Sequence, residues 1–552
     1  MSVETGGGSG DDVVSAQTWL SIAAMSLAVF AIANDFTAMN VVLPTLEQDL
    51  DTDLARVQWV VNGYSIMFGV LIVPGGRLAD LFGRKEMLAL GAAIFALFSF
   101  LGGLAPNVEL LIAARILMGI GGALMWPSIL GLMYALLPAS KSGLAGGLVI
   151  GVAGIGNAAG PVIAGALAEV NWRFIFILNL PIAAIAVAAT WKFVHIDTER
   201  QRSRIDVLGS VLLAIGLFAL LTALTVAPTD GYTAPVVVGG FLVFAVMMVA
   251  FVLRERAAGE NGLVPPSIVG NTPFVWACLA VLSMAAVFFA TLFYLPQFFE
   301  KVLDDSTLTS GLMLLPFVGV FAAASFGQNW LISKIGQKAV ISLGALCLFV
   351  GPTLFVIVLD QSSGYSSFVP GMVVLGVGVG LFYSAVTTAA LTSVEPERSS
   401  LAGGLLYMFQ IAGGAVGLAL TTSVFLAASS AEIDESAQEI GVELSSSELV
   451  DIQGVLVGTE TGQALVASDP GQQTQLIEIV RDAFISGMRW AFGFDTALTA
   501  VGLAIALFAV GGPISRIGRD RPGQGDAAGS SAPPATGHRR VPLHRHRHRH
   551  MP

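Results

Sequence analysis

The sequence predicts an all-α polytopic membrane protein built as two six-helix bundles, parallel repeats of one another, with two further helices between them. Three observations carry this. Of 552 residues, 55% are hydrophobic and only 12% charged, against about 25% charged in an ordinary soluble chain. Fourteen apolar stretches each approach the ~20 residues that a helix needs to cross the hydrocarbon layer. Two short sequences also recur at nearly one offset: SGLAGGL at 142–148 returns as SSLAGGL at 399–405, and RLADLFGRK at 77–85 returns weakly as WLISKIGQK at 330–338. The 63 glycines suit closely packed membrane helices.

In chain order the predicted spans lie near 17–44, 57–79, 86–105, 109–136, 143–168, 174–193, 206–226, 234–254, 273–298, 310–332, 339–359, 367–392, 400–427 and 489–512. The repeats match span 2 to span 10 and span 5 to span 13, an offset of eight. Six-span halves therefore leave two extra spans between them. The halves are 17–193 and 273–512, and the insertion is 206–254. An even number of spans places both termini on one side. Basic residues such as Arg84, Lys85, Lys141, Arg200, Arg254 and Lys338 gather on the terminal side, which predicts cytoplasmic termini. The expected location is the plasma membrane. The N-terminal 1–16 lacks a basic n-region and reads as a disordered cytoplasmic end rather than a secretory signal. Segment 428–488 reads as a polar extracytoplasmic loop, a solvated cap or else a gating or partner surface. The tail 513–552 reads as disordered and basic, with its His/Arg alternation open to metal or anionic lipid.

Composition excludes several functions. A net charge of −11 argues against nucleic acid. The two cysteines, Cys278 and Cys347, lie in apolar segments and suggest no disulfide framework or metal site. The glycine runs lack G-x-x-x-x-G-K-[ST], so ATP is not the expected energy source. No soluble catalytic constellation is present, and the chain is not expected to be an enzyme or to need a cofactor.

Four segments carry chemistry. GRLADLFGRK runs from Gly76 to Lys85 between spans 2 and 3. Gly76 and Gly83 permit close approach and a tight turn, and Asp80 can pair with Arg84 or face a helix N-terminus. NDFTAMNVVLP in span 1 places Asp35 within the membrane, where a carboxylate costs roughly 2.5–3.5 kcal/mol on insertion scales. Desolvation there favours its neutral, proton-carrying form; a permanently paired structural acid is the alternative. RILMGIGGALMWP in span 4 buries Arg115, which must find acceptors, either Asp35 or backbone carbonyls. GIGNAAGPVIAG in span 5 sets Gly156 and Gly160 four apart on one face, with Gly165 further on and Pro161 as a bend. It is a hinge or plain tight packing. A fifth segment, WRFIFILNLPI from Trp172, reads as interfacial anchoring and turn structure.

Layout and motifs together resemble the major facilitator superfamily, and within it the fourteen-span drug:proton antiporters, over about residues 17–512. The resemblance implies that Gly76, Asp80, Gly83, Arg84 and Lys85 form a latch against the start of span 13, near Ser399 and Ser400. In the second half Ser333 stands at the Asp80 position, so a second latch is degenerate. It also implies proton coupling at Asp35 tuned by Arg115, alternating access, and a site near the midplane between the halves.

Candidate cavity residues are Asn34, Asn62, Tyr64, Trp126, Asn157, Tyr294, Gln297, Tyr383, Tyr407 and Gln410, with Phe409 a further aromatic. Each polar one is equally open to a role as interhelical glue. A greasy chamber with sparse polar groups suits lipophilic or amphipathic ligands. Spans 10 and 13 lack Asp and Glu, and span 2 has Asn62 where an acid can occur. Asp206 reads as the cap of span 7, and Asp495 as a residue near the outer end of span 14. One central acid favours one proton per cycle and monovalent or neutral substrates. The expected protein is a monomeric proton-driven exporter whose partners are small lipophilic substrates, protons and membrane lipid. Export of an endogenous lipid, siderophore or metabolite is a second reading. A non-transporting scaffold or sensor is a third.

Overall fold

The computed structural model describes residues 15–52, 54–137, 141–168, 170–194, 206–303, 305–360, 362–395, 398–439 and 473–510. Among these residues the regular elements are all helices, and fourteen of them are long and apolar enough to cross a membrane. Spans 1 to 6 are Ala16–Asp49, Leu54–Phe82, Arg84–Gly103, Val108–Leu136, Ser142–Ala168 and Arg173–Phe193. Spans 7 and 8 are Val207–Asp230 and Pro235–Ala258. Spans 9 to 14 are Thr272–Lys301, Leu315–Ile335, Gln337–Val358, Tyr365–Thr392, Ser399–Glu439 and Gln473–Phe508. A short helix, Thr307–Met313, leads into span 10 and breaks from it at Leu314.

Segment 428–488 is helical at both ends. Span 13 stays helical to Glu439, and the helix of span 14 begins at Gln473. Hydropathy marks only the lipid slab. A helix satisfies its own backbone on either side of that limit and runs on through polar residues. The middle of the loop, like the expected disorder at both termini, lies outside the described residues.

Local chemistry sets the helix starts. Ser15, Asn107, Asp206, Asn271 and Ser306 each accept a hydrogen bond from the amide three residues on, the usual N-cap geometry. Asp206, expected in this role, also pairs with Arg254 of span 8 at 3.1 Å.

The duplication is visible in the turns. Gly83, between spans 2 and 3, has φ +112°, and its repeat Gly336, between spans 10 and 11, has φ +87°. A left-handed residue at the one-residue corner requires glycine at both places. The second repeat builds the contact between halves. A Cβ at Gly147 of span 5 would lie 2.4 Å from the Ser325 carbonyl oxygen of span 10. A Cβ at its counterpart, Gly404 of span 13, would lie 2.7 Å from the Ile72 carbonyl oxygen of span 2. The two halves thus meet through the same small residues, span 5 on span 10 and span 13 on span 2. Association in lipid depends on this close backbone packing.

Span 7 seals one seam. Leu221 meets the space beside Gly69 of span 2 together with Ile411 of span 13, and the Tyr232 hydroxyl donates to the Ala419 carbonyl of span 13 at 3.2 Å. Span 8 lies outside span 7 and exposes Leu242, Val246, Val249 and Leu253, the surface expected of a lipid-facing helix.

At the acidic end, Asp49 accepts from Trp172 Nε1 and Arg173 Nη1, both at 2.8 Å. Trp172 is only 3% exposed, so it fastens the start of span 6 to the end of span 1 rather than lying in the interface as an anchor.

Two measurements check these contacts. Gly404→Val forces a side chain against backbone and should cost about 1–3 kcal/mol, lowering the thermal midpoint of purified protein. Gly319→Ala, which meets nothing within 4 Å, should not lower the midpoint. Asp49 is held below the ordinary 3.8, first by Arg173 and then by Trp172. The sign follows: the clasp contributes fully above that ordinary value and is lost as pH falls through the lowered one. Wild type and Asp49→Asn should therefore differ in thermal midpoint at neutral pH and converge only below about pH 3.8.

Candidate transport site

The middle of the first half is organised around one carboxylate. Asp35 is fully buried on span 1. Its Oδ2 accepts from Arg115 Nη1 of span 4 at 2.5 Å, and its Oδ1 accepts from Asn179 Nδ2 of span 6 at 3.0 Å. Arg115, also fully buried, donates from Nε to the Val60 carbonyl of span 2 at 2.9 Å. Its guanidinium carbon sits 4.4 Å from the centre of the Tyr64 ring. The two alternatives open for Arg115 in the sequence are both realised: it pairs with Asp35 and also holds a backbone carbonyl. A chain of polar contacts continues outward, since Asn179 Nδ2 lies 3.1 Å from Ser99 Oγ, which donates to the Phe176 carbonyl at 2.7 Å. Four helices are thereby tied to one buried ion pair.

Asn179 was not among the sequence candidates. It lies in the segment read as an anchor, in the run Asn179-Leu180-Pro181. An asparagine inside an otherwise apolar span was the available sign, because a buried amide there needs partners.

Span 5 packs directly on this site. A Cβ at Gly156 would lie 2.8 Å from the Ala33 side chain, and one at Gly160 would lie 2.8 Å from the Asn34 carbonyl oxygen. The Thr37 hydroxyl donates across the same contact to the Asn157 carbonyl at 2.9 Å. Gly165 is half-buried further along. The helix runs unbroken past Pro161, whose side chain lies outside the described residues.

The aromatic candidates gather beside the ion pair. Tyr64 stacks on Phe68 at 5.9 Å, Phe68 meets Tyr407 of span 13 at 5.4 Å, and Trp126 of span 4 meets Tyr407 at 4.3 Å. Tyr383 of span 12 donates to Gln410 of span 13. Phe68, Trp126 and Tyr407 therefore meet across the seam between halves, with Tyr64 stacked behind Phe68 in the first half and the Tyr383–Gln410 bond within the second. Asn34 Oδ1, Tyr64 Oη and Trp126 Nε1 are buried without a hydrogen-bond partner. Asn62 is half-buried on span 2. The other two candidates stand apart on span 9: Tyr294 donates to Thr422 at 2.9 Å, and Gln297 donates to the Phe293 carbonyl of its own helix at 3.2 Å.

At the basic end, Asp80 reaches the other half. Its Oδ2 accepts from the Leu401 backbone amide at the start of span 13, at 2.9 Å. Its Oδ1 accepts from Arg84 Nε and Nη2 at 3.2 and 3.1 Å, and Arg84 Nη1 donates to the Gly131 carbonyl of span 4 at 3.1 Å. Gly76 lets the backbones meet: a Cβ there would lie 2.7 Å from the Ser400 carbonyl oxygen. Asp80 and Arg84 are 4% and 5% exposed, so water competes little for these bonds. Lys85 is different from the latch role expected of it. Its ammonium donates to the Trp191 and Val194 carbonyls at 3.1 and 2.8 Å, closing the C-terminus of span 6. Ser333, at the Asp80 position of the repeat, donates to the Trp330 carbonyl of its own helix at 2.7 Å.

Asp495 also departs from its expected place. It is fully buried and hydrogen-bonded to Thr421, not exposed at a helix end. The helix of span 14 continues before 489, back to Gln473, so Asp495 is not at a helix end, although Arg489 bonds the Leu359 carbonyl at the end of span 11.

Two parallel six-helix halves in close contact, the first built around a buried ion pair, define a transporter, and the comparisons agree. The Major Facilitator Superfamily model matches residues 25–418, and the chain belongs to that superfamily. Among relatives, it is 32% identical over 497 residues to the tetracenomycin C resistance and export protein of Streptomyces glaucescens, covering 89% of this chain and 91% of the relative. It is 30% identical over 420 residues to the multidrug resistance protein Stp of Mycobacterium tuberculosis, covering 75% and 77%. The fold is similar to that of the human organic anion transporter MFSD10, with TM-score 0.58 and 11% identity over 89% of this chain and 99% of that one. It is similar also to the proton:xylose symporter XylE, with TM-score 0.54 and 14% identity over 89% and 95%.

The contact of Asn179 with Asp35 has a direct test. Asn179→Leu removes one donor from a buried carboxylate and should cost about 1–3 kcal/mol, lowering the thermal midpoint. Asn179→Gln, which keeps an amide donor, should recover part of the loss.

Proposed function

We propose that the protein is a proton-driven exporter of lipophilic or amphipathic compounds, neutral or monocationic, working by alternating access in the plasma membrane with its basic loops in the cytoplasm. The observation that carries this reading is the Asp35–Arg115 pair, buried beside an aromatic seam between the halves. A proton on Asp35 removes the carboxylate's charge and releases Arg115 from its only acid partner among the described residues. Arg115 retains the Val60 carbonyl and the Tyr64 ring, so its charge stays where a substrate or a second acceptor feels it.

The seam fits such substrates. Trp126, Tyr407 and Phe68 offer faces to flat or cationic ligands, an attraction worth ~0.5–2 kcal/mol per contact. The unpartnered Asn34, Tyr64 and Trp126 atoms supply a few directional bonds. Because Tyr64 and Trp126 are buried, substrate enters only when the halves part. Span 5, pressed on span 1 at Gly156 and Gly160 and on span 10 at Gly147, links a change at Asp35 to the contact between halves. The Asp80–Leu401 bond closes the basic end in this state and must break for that end to open. Relatives named for drug resistance and export support the same substrate class.

Inverted membrane vesicles with an acid interior and a fluorescent pH reporter test the proposal. Adding lipophilic monocations or neutral lipophiles should release protons from vesicles holding wild type and release none with Asp35→Asn. Normal coupled release in the variant removes Asp35 from the proton path. Silence across a broad panel in folded wild type removes the exporter reading.

A further inference from the structure

A second carboxylate lies in the membrane, in the other half, where the coupling scheme above makes no use of it. Asp495 lies on span 14, about 9 Å along the helix at 1.5 Å per residue from Arg489, which bonds the Leu359 carbonyl at the end of span 11. It is fully buried. Oδ1 accepts from the Thr421 hydroxyl of span 13 at 2.8 Å, and Oδ2 has no hydrogen-bond partner.

No cation faces it among the described residues. Span 14 packs on spans 9, 11 and 13. From span 9 the titratable neighbour is Tyr294, which lies within electrostatic reach of Asp495 and donates to Thr422. From span 13 the facing group is the neutral Thr421. Span 11 presents apolar groups such as Leu348 and Phe355; its cysteine, Cys347, packs on Gly378 of span 12. The arginines of span 14 are engaged elsewhere, Arg489 at the Leu359 carbonyl and Arg481 at the Val302 carbonyl. An ionised carboxylate buried without a counter-charge is far costlier than a neutral acid with one unmet bond. Asp35, with Arg115 and Asn179, is the opposite case.

We infer that Asp495 is a second proton-binding group, which holds its proton in the present state and delivers it during the cycle, so that two protons are exchanged per substrate. Thr421 positions the acid. It stands on span 13, the same helix that carries Tyr407 at the seam and Gly404 against span 2. Movement of span 13 relative to span 14 would alter the Asp495–Thr421 bond directly. The inference rests on the exporter reading for its transport consequence, while the protonation itself does not. Exchange of two protons for one monocation moves one net charge, so transport responds to membrane potential. Exchange of one proton does not.

Two experiments separate these points. Infrared spectra of purified protein near pH 7 should contain a protonated-carboxyl C=O band that Asp495→Asn removes and Asp35→Asn leaves. A spectrum unchanged by Asp495→Asn overturns the protonation. In proteoliposomes with ethidium as the monocation, wild type should be driven by a potential alone as well as by a pH gradient. Asp495→Asn, which keeps the shape of the neutral acid, should keep the pH-driven exchange and lose the response to potential. Wild type indifferent to potential, or a variant still driven by it, overturns the second-proton role and makes Asp495 a fixed structural acid. Failure of wild type to exchange any probe under a pH gradient defeats the exporter reading and this transport role with it; the infrared result still decides the protonation.

Discussion

A carboxylate and a guanidinium buried in the middle of a membrane bundle can neither shed their charges into lipid nor reach water, and this constraint fixes the first half of the protein. Asp35 and Arg115 must stay within hydrogen-bond distance, so spans 1 and 4 cannot slide apart while both are charged. Removing one partner from such a pair typically costs 3–5 kcal/mol, because the other is left alone. Asn179 and the Val60 carbonyl satisfy further valences and draw spans 6 and 2 into the same network. On the proposed reading, a proton on Asp35 relieves this constraint and lets the centre rearrange.

The contact between halves obeys a different logic. It is made largely of glycines against backbone and small side chains, with Gly147 on Ser325 and Gly404 on Ile72 related by the repeat. Such surfaces hold by close packing, with few directional bonds to break when they slide. Polar bonds across the seam among the described residues include Asp80 with Leu401 and Tyr134 with Thr388. The repeat kept the turn, Gly336 for Gly83, and lost the acid, Ser333 for Asp80. The two seams are therefore alike in packing, while only the first keeps the acid at this position.

Much of this was legible in the sequence because the membrane imposes simple rules. Fourteen spans follow from the length of apolar runs, and the division into halves follows from two recurring segments. The candidates Asp35, Arg115 and Asp80 stood out because charge inside an apolar run is expensive and seldom retained idly. Lys85 and Asn179 were misplaced or missed because their partners are distant in sequence. Lys85 sits beside Arg84 in a basic turn, yet its acceptors are the last carbonyls of span 6, 106 and 109 residues on. Asp495 looked terminal because polar residues before 489 hid the true start of its helix.

The sequence by itself determined the membrane class, the span count, the parallel repeat and the presence of a rare buried acid and base. These depend on composition and on spacing along one chain, where the cost of polar groups in lipid acts residue by residue. Only the tertiary structure decided which charges meet. It paired Asp35 with Arg115 across 80 residues and Asp80 with Leu401 across 321, and it left Asp495 with a threonine and, among the described residues, no cation. Pairing depends on which helix faces which, and that is set by the packing of small residues over the whole bundle, a property no single segment carries.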